Sequence, residues 1–258
     1  MAGRLQAKVA FITGGGSGIG EATAHRFAEE GATVVVCGRR KEPLEAVVAA
    51  ICAKGGKAEW AQADVSKEEQ IVAAIQDAAK RHGHLDILVN NAMAFSWGGV
   101  DKTSTETWHS NFSTTVDGTF WGTRTALQIM KAQGTGGSII NVASICGLFG
   151  VPMMAGYSAA KAAVINFSRA VASEGASKNI RCNVVIPGVV ETPATADMLA
   201  DEKQLKNATK LVPMRRVGQP VELANAILFF ASEESSYVTG ASLSVDGGRA
   251  SELFTGLA

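Results

Sequence analysis

The chain has 258 residues, 47% of them hydrophobic, and 24 basic side chains balance 24 acidic ones. That length suits one large α/β domain over 1–258 better than two small ones, and zero net charge supplies no whole-molecule field for nucleic acid or an anionic membrane. No apolar run reaches the ~20 residues of a membrane helix, and the N-terminus enters an apolar strand without a signal-peptide layout, so a cytoplasmic protein is expected.

In chain order, an apolar run at 8–12 gives way to a glycine-rich turn and a helical pattern over 18–30. A strand at 33–37, a helix over 41–54, a strand at 58–62 and a helix over 67–82 follow. Strand 86–89 precedes the longest helical pattern, 104–133; then come strand 138–142 and a helix over 157–177. Strand 181–186, a helix over 220–232 and a strand at 242–245 complete the series. Such alternation builds crossover units, so the expected fold class is α/β, a mostly parallel sheet with helices on both faces. The strands show little polar alternation, as when both faces are covered. A ligand is then expected at the carboxyl ends of the strands, where the strand order reverses. The segment 190–218 has no clear strand and carries Thr192-Pro193, a polar helical stretch and Pro213, which suggests a mobile lid or substrate loop.

Four cysteines, Cys37, Cys52, Cys146 and Cys182, form no C-x-x-C pair and have no histidine at metal-ligand spacing. Neither a metal site nor a disulfide is expected.

The first strand ends in Thr13-Gly14-Gly15-Gly16-Ser17-Gly18-Ile19-Gly20, directly before a helix. Glycines let a phosphate approach the backbone, and unpaired N–H groups at the helix start face the anion. Gly14, Gly16, Ser17, Gly18, Ile19 and Gly20 are therefore cofactor-binding candidates. An acid at the end of the second strand would hold the ribose hydroxyls of NAD(H). Here Gly38-Arg39-Arg40-Lys41 stands instead, and Arg39 and Arg40 suit the 2′-phosphate of NADP(H), which is favoured over NAD(H).

Tyr157 and Lys161 lie four apart on a helical pattern and reach one site. A free tyrosine is a poor base at neutral pH, and a nearby ammonium favours its phenolate. Ser144, just past strand 138–142, can hydrogen-bond a substrate oxygen while the tyrosine transfers a proton.

With the glycine turn, Asn90-Asn91-Ala92, Ser144, Tyr157–Lys161 and Pro187-Gly188, the chain resembles the short-chain dehydrogenase/reductases from about residue 5 to Asp246-Gly247-Gly248. The resemblance implies a single Rossmann-fold domain with a doubly wound seven-stranded sheet, assembled as a homotetramer or homodimer. It implies that Tyr157 is the acid/base, that Lys161 binds the nicotinamide ribose and lowers the tyrosine pKa, and that Ser144 positions the carbonyl. Asp64 and Val65 would contact the adenine, Asn91 and Ala92 would line the cofactor, and Pro187, Gly188, Val190 and Thr192 would sit near the nicotinamide.

Two positions depart from the family pattern. Met93 replaces a usual glycine. Thr115 stands where the family carries a catalytic asparagine, three residues before Gly118; Asn111, one turn earlier, does not match. In the family that asparagine's carbonyl holds a water extending a proton relay from the lysine, so Thr115 is expected to serve a modified relay.

Met93, Phe95, Cys146, Phe149, Met153, Met154 and Val189 fall after strand ends or before Tyr157, and predict a pocket for a bulky apolar or aromatic ketone or its alcohol. Two other readings remain at this point. One is a 3-oxoacyl-carrier-protein reductase, with Lys206, Lys210, Arg215 and Arg216 as a docking surface. The other, motivated by the missing asparagine, is a catalytically weak dinucleotide-binding scaffold.

Overall fold

A computed structural model describes residues 3–251. The elements run β1 (Val9–Thr13), α1 (Gly18–Glu29), β2 (Thr33–Gly38), α2 (Lys41–Ala53), β3 (Lys57–Gln62), α3 (Glu68–His82) and β4 (Ile87–Asn90). They continue as α4 (Thr105–Phe112), α5 (Gly118–Gln133), β5 (Gly137–Val142), α6 (Ala155–Ala176), β6 (Ile180–Pro187), α7 (Ala196–Ala200), α8 (Glu202–Lys210), α9 (Pro220–Ala231) and β7 (Ser242–Val245). Seven parallel strands form one sheet in the order β3-β2-β1-β4-β5-β6-β7. The order reverses between β1 and β4, so their carboxyl ends splay apart and open a crevice there.

The two-residue period of a strand explains the two cores. Ala10 and Ile12 of β1 pack with Phe27 of α1, Leu44 of α2 and Leu223 and Ile227 of α9 on one face. Val9 and Phe11 point the other way, to Ile71 and Ile75 of α3, Met130 of α5 and Val171 of α6. Burial on both faces is why these strands read as apolar runs without alternation. The two edge strands are the exceptions: β3 is only partly buried and β7 is mostly exposed.

A buried polar chain ties the centre of the sheet to two helices. Asn90 Nδ2 donates to Asn141 Oδ1 at 2.8 Å and to Thr123 Oγ1 at 3.0 Å, and Asn141 Nδ2 donates to Ser168 Oγ at 2.8 Å. Its members lie on β4, β5, α5 and α6, the elements that deliver the residues after Asn90 and Val142 to the crevice.

One expectation changes. The helical pattern over 104–133 is not one α-helix: a π-helical turn at Ser113–Asp117 separates α4 from α5. The chain stays helical through the π-turn, so the sequence reads as one continuous helix. Gly118 ends that turn where a Cβ would stand 2.8 Å from the Val65 carbonyl oxygen, so glycine allows α5 to close on the loop after β3. The polar helical stretch expected within 190–218 is present as α7 and α8, and the segment returns to the sheet through a bridge between Val190 and Gly218.

Candidate active site

At the carboxyl ends of β1 and β4 lies a cleft of about 350 Å³. Nearly all the candidate cofactor residues line it: Gly14, Gly16, Ser17, Gly18, Ile19, Arg39, Arg40, Asp64, Val65, Asn91, Ala92, Tyr157, Lys161, Pro187, Gly188, Val190 and Thr192. Gly20 does not. It packs behind the turn, where a Cβ would fall 2.2 Å from the Gly14 carbonyl oxygen.

The local chemistry suits a phosphate. Gly14 and Gly18 take positive φ of 65° and 57°, which favours glycine. Ser17 is the N-cap of α1, yet its side chain makes no capping hydrogen bond, so the helix-start N–H groups keep their capacity for an anion. Asn91 Nδ2 braces the turn from across the crevice, donating to the carbonyls of Thr13 and Gly14 at 3.1 and 3.2 Å. Arg39 and Arg40 stand at the end of β2, and the Arg39 carbonyl is fixed by Gln62 Nε2 at 2.9 Å. Asp64 is held below the usual carboxylate range despite partial burial, because Ser66 donates twice to it and Arg39 and Lys67 lie nearby.

At the other end of the cleft, Ser144, Tyr157 and Lys161 converge from β5 and α6. Ser144 follows β5, and its Oγ accepts from Cys146 N at 3.2 Å, which leaves the hydroxyl proton free to donate. Gly147 lets this loop lie on α6: a Cβ there would sit 2.7 Å from the Lys161 carbonyl carbon. Lys161 is fully buried, and its Nζ donates to the Val142 carbonyl at 2.7 Å. The same Nζ is 5.8 Å from the centre of the Tyr157 ring.

Thr115 is buried but does not line the cleft; its neighbour Thr114 does. Thr115 Oγ1 accepts from Ala94 N at 3.3 Å, so its side chain is engaged with the loop after β4. Of the substrate candidates, Met93 lines the cleft and Phe95 packs edge-on against Tyr157, with centroids 5.4 Å apart at 75°. Phe149 and Met153 are exposed, and neither they nor Met154 and Val189 line the cleft. Cys146 reaches the site through its amide to Ser144. Residues not foreseen include Thr195, whose hydroxyl donates to the Val190 carbonyl at 2.6 Å and accepts from Thr192 N at 3.0 Å. It falls in the segment without sequence periodicity, so no pattern pointed to it. Among the described residues no three His, Cys, Asp or Glu side chains gather as a metal site.

A family model described as Enoyl-(Acyl carrier protein) reductase matches residues 14–250. The chain belongs to the short-chain dehydrogenase/reductase family. It is 41% identical over 248 residues to a 2,5-dichloro-2,5-cyclohexadiene-1,4-diol dehydrogenase of Sphingobium indicum, covering 96% of this chain and 98% of that one. A 3-oxoacyl-[acyl-carrier-protein] reductase of Thermotoga maritima is 39% identical, with 95% and 98% covered. An NADP-dependent (R)-specific alcohol dehydrogenase of Lentilactobacillus kefiri is also 39% identical, with 96% and 98% covered. A Burkholderia xenovorans crystal structure of the same family superposes with a TM-score of 0.94 at 37% identity, over 98% of this chain and 100% of that one. This dehydrogenase/reductase is therefore an oxidoreductase acting on CH–OH or carbonyl groups with a nicotinamide dinucleotide.

The electrostatics of its cleft differ from what the Tyr-x-x-x-Lys spacing suggested. Burial pushes Tyr157 up to about 12, with only the Ser144 hydroxyl pulling it back. Burial pulls Lys161 down to about 7, so near neutral pH the amine carries only part of the charge that would favour a phenolate. In the protein alone, Tyr157 is thus a neutral phenol, a proton donor rather than a base.

This burial has a consequence for stability. The unfolded chain holds the Lys161 proton up to its ordinary value of 10.5, the folded chain only up to about 7. Between those values the unfolded state binds more protons, so this group's contribution grows more favourable as pH rises from 7 to 10. The penalty is largest below 7. Lys161→Met removes it. The Tm of the wild type relative to Lys161→Met is expected to rise by on the order of 5 °C from pH 6.5 to 9.5. A difference that stays constant would mean the amine remains charged in the fold.

Proposed function

We propose that this enzyme transfers a hydride between NADP(H) and the carbonyl or secondary alcohol carbon of a bulky apolar or aromatic substrate, with Tyr157 carrying the proton to or from oxygen. The observation that carries this reading is one cleft with Arg39 and Arg40 at one end, Ser144, Tyr157 and Lys161 at the other, and an apolar mouth beside the tyrosine. The bound nicotinamide supplies or accepts the hydride. The rest falls to the side chains.

In reduction, the Ser144 hydroxyl donates to the carbonyl oxygen and fixes it beside the phenol. As hydride adds to carbon, the C=O electron pair moves onto oxygen, and the Tyr157 proton passes to it. The resulting phenolate lies near the Lys161 amine, which stabilises it by taking up or holding a proton. In oxidation the same groups act in reverse, and Tyr157 must begin as phenolate. Its raised pKa therefore favours reduction at neutral pH and requires a higher pH for oxidation. Arg39 and Arg40, with no carboxylate beside them on the turn after β2, suit a 2′-phosphate; the relative from L. kefiri is named as NADP-dependent. The helical segment between Val190 and Gly218 would serve as the substrate lid. We place the enzyme in the cytoplasm as a homotetramer or homodimer formed of one-domain subunits.

A second reading, reduction of a 3-oxoacyl carrier-protein thioester, draws on the T. maritima relative. Its docking charges are partly engaged: Arg216 is forked onto Glu222 at 2.6 and 2.8 Å, and Arg215 donates to the Lys210 carbonyl at 2.5 Å. The apolar mouth favours the first reading.

Loss of NADPH absorbance with a panel of aryl ketones tests this. Tyr157→Phe is expected to lower kcat by roughly a thousandfold while NADPH affinity stays within about twofold. Arg39→Ala is expected to lower kcat/KM for NADPH by roughly ten- to a hundredfold, with NADH little affected. Faster turnover with NADH in the wild type would contradict the cofactor reading, and turnover of an acyl carrier-protein substrate alone would replace the ketone.

A further inference from the structure

The loop after β4 does not hang free over the cleft. Asn111 Nδ2, on α4, donates to Ser96 Oγ at 2.7 Å, and Gly98 N donates to the Met153 carbonyl at 2.8 Å. Thr115 Oγ1 accepts from Ala94 N. Three ties on six residues turn 93–98 into a strap across the mouth. Met153 takes a φ of +68°, an unfavourable conformation for a side chain of its size, at the point where its carbonyl receives the strap. Between the ties, the Phe95 ring stands edge-on to Tyr157 and remains half exposed, so it presents a free aromatic surface beside the reacting oxygen.

Asn111 is central to this arrangement. It is buried, and it lies beside the first turn of α6, where the absence of a side chain on Gly156, next to Tyr157, leaves it room: a Cβ there would come within 3.3 Å of its Nδ2. One side chain is therefore bonded to the strap that holds Phe95 and lies beside the helix turn that holds Tyr157. It also donates to the Thr107 carbonyl at 2.9 Å, which fixes the direction of the amide.

We infer that Asn111 is a positioning residue that, with Ser96, locks Phe95 as an aromatic wall beside Tyr157 and thereby selects substrates with an aryl or cyclic apolar group next to the carbonyl. The inference rests on the ketone reading above and deepens it. A wall fixed at the tyrosine rewards a flat apolar group through edge-to-face and apolar contact, and gives a small ketone nothing. Such a wall acts on substrate binding, so it moves KM rather than the proton transfer that sets kcat.

The test compares acetophenone with acetone, using NADPH and the full-length protein. Phe95→Ala is expected to raise the ratio of the acetophenone KM to the acetone KM roughly tenfold. Ser96→Ala should move the same ratio in the same direction, and Ser96→Thr, which keeps the hydroxyl, should restore it. Hydrogen exchange of the 93–99 amides in the protein without ligands supplies a readout independent of turnover. It should be several-fold faster in Ser96→Ala and Asn111→Ala than in the wild type. Unchanged exchange would overturn the tie. Faster exchange with an unchanged acetophenone-to-acetone ratio would overturn the selection and leave the strap as packing. Wild-type failure on both ketones would overturn the ketone reading itself, a result distinct from either of these.

Discussion

The site depends on a fully buried amine held one helical turn from a phenol that is half-buried at the wall of the cleft. β5 ends at Val142, whose carbonyl takes a hydrogen bond from Lys161 Nζ, and α6 stacks Tyr157 one turn away over the same buried space. Desolvation costs each group its charged form. The phenol moves up and the amine moves down, so near neutral pH the phenol is neutral and the amine is only partly charged. Such a pair can shift a proton with little electrostatic reorganisation, and each charge that appears during reaction arises beside a partner able to compensate it.

The rest of the fold serves that placement. The reversal of strand order between β1 and β4 opens the crevice, and the glycine turn gives it a backbone floor for phosphates. The polar chain through Asn90, Asn141 and Ser168 locks β4 and β5 to α5 and α6, so the Ser144 loop and the Tyr157 helix hold a fixed separation. Gly147 allows that loop to rest directly on the α6 backbone.

Much of this is legible in the sequence because the local rules agree with the tertiary ones. The apolar strand runs report two covered sheet faces, and the glycine spacing after the first of them marks a phosphate turn. Tyr157 and Lys161 reveal their shared face by spacing alone. What spacing does not reveal is solvation: it suggests a lysine ammonium that acidifies the tyrosine, whereas burial weakens that charge. The π-turn at 113–117 is hidden because the chain stays helical through it and five residues are too few to reveal a change of period. Its effect is local and specific, turning Thr114 to the cleft and Thr115 to the strap. The roles of Asn111 and Thr195 depend on contacts across loops with no periodicity, and no single-sequence pattern encodes those.

The ionisation of Tyr157 tests this account most directly. The chain has two tyrosines, and the other, Tyr237, is fully exposed, so Tyr237→Phe leaves one phenol to follow by its phenolate absorbance. The account predicts that in the protein without cofactor this phenol stays neutral past pH 10, above the ordinary tyrosine value of about 10. Ionisation between pH 7 and 8 would contradict it, and would show that Lys161 acts as a full ammonium on the tyrosine despite its burial.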